Sequence, residues 1–95
     1  MSALISKRAR LLLRLYVAGS APNSLRAIAN AKAVCSAHFA GHELEIVDML
    51  KDPRRALADG IIVTPTLLKV LPLPMGRVIG DLSDTAQLLL VLESK

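Results

Sequence analysis

The chain has 95 residues, of which 53% are apolar and only 2% aromatic, namely Tyr16 and Phe39, and its net charge is +4. That length suits a single domain over residues 1–95, with one core of Leu, Ile, Val and Ala, and so few rings argue against a stacking platform for single-stranded nucleic acid. The lone Cys35 leaves no disulfide framework, no Cys-x-x-Cys and no zinc spacing with His38 and His42.

Residues 1–8 read as a frayed start. Leu11–Val17 reads as a buried strand carrying one charge, Arg14, whose stem can pack along the sheet while its head stays wet. Residues 18–24 are dense in turn formers, and Asn23 or Ser24 is predicted to cap the next helix. Residues 25–38 are alanine-rich and helical by propensity. Leu25, Ile28, Ala31 or Lys32, and Cys35 fall on one face, which makes Cys35 a small core residue. His38 suits the negative end of the helix.

His42–Asp48 alternates charged with apolar residues and reads as a strand with one exposed side. Asp52-Pro53 starts a short helix over residues 54–59, and Gly60 stops it. Then Thr64-Pro65-Thr66 leads into a strand over residues 67–71. Proline has no N–H to give a central strand, so this one either opens the strand in trans or makes a sharp cis bend. Residues 72–76 form a stiff turn. Residues 77–80 return as a second strand of a hairpin. Ser83 is the predicted cap of a last helix with Leu88, Leu89 and Leu92 on its apolar face. The order βαβαββα, with a parallel first pair and an antiparallel last pair, is the thioredoxin-like α/β arrangement.

A thioredoxin-like oxidoreductase needs an activated cysteine where the first helix begins. Ser20-Ala21-Pro22-Asn23 stands there, so disulfide exchange has no thiol to run on. Ser20, Ser24 or Tyr16 could in principle serve a glutathione-type enzyme, but such enzymes usually carry a second, helical domain that this sequence lacks. Neither an enzyme nor a cofactor is expected. Lys and Arg are spread without the density of a nucleic-acid arm, and the balance suits a positive surface meeting an acidic partner. Arg14 breaks the first apolar run and no cleavage site follows, so no signal peptide is read. Leu88–Leu92 is far too short to cross a bilayer. A cytoplasmic protein without membrane or nucleic-acid partners is expected.

Leu15-Tyr16-Val17-Ala18-Gly19, Pro22-Asn23-Ser24, Val47-Asp48, Thr64-Pro65-Thr66-Leu67, Lys69-Val70-Leu71-Pro72 and Ile79-Gly80-Asp81-Leu82-Ser83 occur in this order. Together they resemble the KaiB circadian clock protein family over roughly residues 10–93. The resemblance implies a non-enzymatic regulator that binds the ATPase ring of a KaiC-type protein. KaiA and a KaiB-like sensor kinase are further implied partners. It also implies a metamorphic chain. The resting form is a homodimer or homotetramer in a βαββααβ fold, and the thioredoxin-like monomer binds KaiC. Arg14, Arg26, Lys69 and Arg77 match basic positions of the family and are the implied partner contacts. Pro65, Pro72 and Pro74 match its switch segment. A thioredoxin-fold module serving a sensor kinase or a stress-response partner is the alternative.

The sequence departs from the family pattern in places. Leu73 interrupts the proline run. A double-arginine position reads Gly76-Arg77. Glu43 and Glu45 stand where many relatives carry neutral or basic residues. A late glycine of the last helix is Val91.

Overall fold

The computed structural model describes residues 11–93, so the frayed start expected over residues 1–8 lies outside the described residues. Seven elements follow in chain order: β1 (Leu11–Val17), α1 (Pro22–His38), β2 (His42–Asp48), α2 (Pro53–Ala58), β3 (Thr66–Leu71), β4 (Gly76–Ile79) and α3 (Thr85–Leu92). The strands form one sheet in the order β2-β1-β3-β4. β1 runs parallel to β2 and antiparallel to β3, and β3 and β4 form the antiparallel hairpin. This is the βαβαββα order expected from the sequence.

Because side chains alternate along a strand, the register divides the sheet into two faces. On one face, Leu13, Leu15, Leu67 and Val78 meet α1 and α3 in the larger apolar cluster, with Ala27, Ala31, Cys35, Leu88 and Leu92. On the other face the cluster is small: Tyr16, Val47, Ala56 and Ile61, with Met49 against them. α2 lies on that second face.

α1 starts three residues earlier than its composition suggested. Pro22 takes a first-turn position, where its fixed φ and missing N–H cost nothing. Neither Asn23 nor Ser24 caps it. The Ser24 hydroxyl turns inward and accepts from the Ala18 N–H at 3.1 Å. The buried face is Ser24, Ala27, Ala31, Val34 and Cys35, while Leu25 is 53% exposed. The buried face is thus built mostly of small residues, and Leu25 lies outside it. At α3 the cap is Asp84, not Ser83: its carboxylate accepts from the Gln87 N–H at 3.1 Å. Ser83 instead donates its N–H to Asp81 at 3.0 Å.

The peptide bonds before Pro65, Pro72 and Pro74 are all cis. Gly60, at φ +68°, ends α2 in the left-handed region, as its sequence position suggested.

Gly76 answers a steric demand. A Cβ placed there would sit 2.8 Å from Cγ1 of Val91 on α3. Valine is stiff at χ1 and has little room to yield. Overpacking of this kind costs about 1–3 kcal/mol, more than the ~0.4–1 kcal/mol gained by stiffening the unfolded chain. Gly76→Ala should therefore lower the urea midpoint, and adding Val91→Ala should restore most of the loss. Losses that simply add in the double variant would show that the two positions do not meet.

Candidate functional site

β1 and β2 pair so that Arg14 stands beside Glu45 and Tyr16 beside Val47. β3 and β4 extend both rows across the sheet, giving Glu45–Arg14–Leu68–Arg77 and Val47–Tyr16–Thr66–Ile79. These rows belong to the second face. α2 and the turn after it cross above them and bring Arg55 and Asp59 down onto the first row.

Arg14 donates from Nε to Glu45 at 3.0 Å and from Nη1 to Asp59 at 2.9 Å. Arg55 donates to both oxygens of Glu45, at 2.6 and 2.8 Å. The planar guanidinium fork matches a carboxylate, which makes such bidentate pairs the stronger ion pairs. The Tyr16 ring is fully buried, and its hydroxyl donates to Asp59 at 2.5 Å and lies 3.1 Å from the Arg55 carbonyl oxygen. Arg77 reaches over from β4 and donates to the carbonyls of Asp59 and Gly60, each at 3.2 Å. A cation there meets the negative end of α2. The face is thus closed by a polar cluster of Arg14, Tyr16, Glu45, Arg55 and Asp59, with Arg77 clasping its edge.

The cluster moves its own proton affinities. Arg55 first, and Arg14 with it, hold the Glu45 carboxyl down to about 2. The Tyr16 hydroxyl, and then Arg14, hold Asp59 below its ordinary value. Burial, reinforced by Asp59, pushes Tyr16 up to about 12.

The loop that begins α1, where a thioredoxin-like enzyme would carry its nucleophile, is tied down. Asp48 at the end of β2 accepts from the N–H groups of Gly19 and Leu50, both at 3.0 Å. Those donors, Gly19 first, keep its carboxyl low. Cys35 is buried on α1 and burial pushes its thiol up, the reverse of a nucleophile's environment. Among the described residues no group of three or more His, Cys, Asp or Glu could hold a metal ion. No helix among them is long and apolar enough to cross a membrane.

The four basic positions singled out in the sequence do not share one surface. Arg14 and Arg77 lie in one row and both meet Asp59, the first at its carboxylate and the second at its carbonyl. Arg26 stands exposed on α1, near Asp81 at 3.4 Å and hydrogen-bonded to Asn23. Lys69 is enclosed at 0% exposure, because its row, Leu44–Leu13–Lys69–Gly76, faces the larger apolar cluster. In this fold its ammonium is not offered to a partner. Sequence reasoning missed Glu45, Arg55, Asp59 and Tyr16 as a unit. The charges were visible, but only the parallel register and the crossing of α2 bring them together.

The KaiB domain family model matches residues 14–94. Over 90 residues the chain is 48% identical to the circadian clock oscillator protein KaiB of Synechococcus elongatus, covering 94% of this chain and 88% of that protein. It is 46% identical over 90 residues to the same-named protein of Prochlorococcus marinus strain MIT 9313, covering 94% and 76%. Among solved structures, the N-terminal domain of Synechococcus elongatus SasA superposes with a TM-score of 0.72 at 24% identity, over 85% of this chain and 80% of that one. Fasciola hepatica thioredoxin superposes with a TM-score of 0.74 at 17% identity, over 99% and 90%. At such identities the solved structures speak for the thioredoxin-like fold alone.

The proton affinities set a pH window. A depressed carboxyl stabilises the fold fully above its ordinary pKa and loses that contribution on acidification, so Glu45 should act between 4.5 and about 2. A raised phenol stabilises the fold fully below its ordinary pKa, so Tyr16 should lose its share as pH rises from 10.0 to about 12. Urea midpoints measured across pH should fall at both ends. Tyr16→Phe should flatten the alkaline fall and Glu45→Gln the acid one. Unchanged profiles in these variants would mean that the pairs are not formed in solution.

Proposed function

The chain belongs to the KaiB family, and from that premise we propose that it is a non-enzymatic timing regulator that works by binding a KaiC-type ATPase ring. The observation that carries the reading is the 48% identity over 94% of the chain to a circadian clock oscillator protein. The chemistry of the chain agrees with it. The position of a thioredoxin nucleophile holds Ser20 and Asn23 instead of cysteines, and its loop is anchored by Asp48. What remains for the molecule to act with is its surface.

On that surface Arg26 is the outward cation of the four basic positions, so it is the proposed electrostatic contact with an acidic partner. Arg14 and Arg77 contribute by shaping the second face and the end of α2. Lys69, enclosed in the thioredoxin-like form that is proposed to bind, is not proposed as a contact. The proposal extends to that rearrangement: a resting homodimer or homotetramer in the βαββααβ fold, exchanging with the thioredoxin-like form described above, with Pro65, Pro72 and Pro74 in the switch segment. KaiA is proposed to join the assembly.

Incubating the protein with a KaiC ATPase and ATP, followed by sizing chromatography, should yield a complex. Arg26→Glu should weaken it by about ten-fold, mainly through slower association. No complex after prolonged incubation would refute the reading, and capture of a sensor kinase in its place would favour the alternative module.

A further inference from the structure

Residues 49–65 cross the second face as a strap. One end is fixed where the Met49 N–H donates to the Val17 carbonyl at 2.8 Å. The other is fixed where the Gly80 N–H donates to the Pro65 carbonyl at 3.0 Å and the Thr66 hydroxyl to the Val63 carbonyl at 2.6 Å. Between these ends the strap has little apolar hold. α2 is six residues long and buries only Ala56, and Ile61 follows just after it. A helix of that length does not persist by its own propensity, and burying one methyl group adds little. The strap therefore depends on its side-chain bonds to the sheet: Arg55 to Glu45 and Asp59 to Arg14 and Tyr16, with Arg77 of β4 on the Asp59 and Gly60 carbonyls.

We infer that residues 49–65 open as a unit ahead of the rest of the fold, and that the Glu45–Arg55 and Asp59–Arg14–Tyr16 bonds form the latch that sets how often they do so. This is a conformational device of this chain and goes beyond the timing role, which it does not require. With the strap lifted, Tyr16, Val47 and Leu68 become exposed, while the larger cluster beneath α1 and α3 stays closed. Elements held by few buried apolar contacts are the ones that open locally.

Amide hydrogen exchange, read on the thioredoxin-like monomer, separates this from ordinary destabilisation. The reporters are the N–H groups of Asp59, Gly60 and Ile61, which donate to Arg55, Leu57 and Ala56. Glu45→Gln should speed their exchange by about ten-fold, as loss of one charge-assisted pair implies, with β1 and β3 amides unchanged. Asp59→Asn should do the same at Gly60 and Ile61. Val34→Ala, on the other face, should speed β1 and β3 amides and leave the strap as it was. The inference is overturned if Glu45→Gln and Asp59→Asn speed strap and strands equally, or leave the strap unaffected. A Glu45→Gln chain that does not fold also overturns it, because opening the strap should leave the sheet intact.

Discussion

Asp59 joins the two layers of the second face. Its carboxylate takes one hydrogen bond from the phenol of Tyr16 and one from the guanidinium of Arg14, both on the central strand β1. The other face can rely on aliphatic burial, with α1 and α3 covering it. The second face has Ala56 and Ile61 for that purpose, which is too little to seat a helix. Charge-assisted bonds supply the seating, and they also set its direction: Glu45 and Asp59 receive donors that approach along defined lines. Among the described residues no buried side-chain nitrogen or oxygen lacks a partner, so the arrangement leaves no buried polar group unsatisfied.

This changes the meaning of the basic residues. In the sequence, Arg14 and Arg77 look like surface charges awaiting an acidic partner. In the fold they serve the turn that ends α2 first, Arg14 at the Asp59 carboxylate and Arg77 at the Asp59 and Gly60 carbonyls. Glu45 looks like a departure that weakens a positive strand. It is instead the counter-charge to Arg55 on α2. Likewise, Gly76 and Val91 appear as two separate departures from the family pattern. They meet across β4 and α3, where Val91 occupies the space a side chain at position 76 would need.

Most of the fold was legible because its signals are local. β1 and β2 carry their own periodicity, Gly60 and Pro53 punctuate α2, and Thr64-Pro65-Thr66 marks the entry to the hairpin. What local signals miss is choice among equals. Ser24 could cap α1 or brace the loop before it, and the inward position won. Leu25 is the most apolar residue of its turn, yet the face that is buried runs through Ser24, Ala27, Ala31, Val34 and Cys35. The polar cluster was illegible for a different reason. Its members lie up to 45 residues apart and become neighbours only through the strand order β2-β1-β3-β4 and the path of α2.

The carboxyl carbons of Glu45 and Asp59, followed by NMR as the protein is acidified, report on the seating of α2 without any substitution. If the cluster holds in solution, Glu45 titrates near 2 and Asp59 below 3.8. Ordinary titration of both, at 4.5 and 3.8, would mean that Glu45 is not held by Arg55 nor Asp59 by Tyr16 and Arg14, and that α2 is seated by something else.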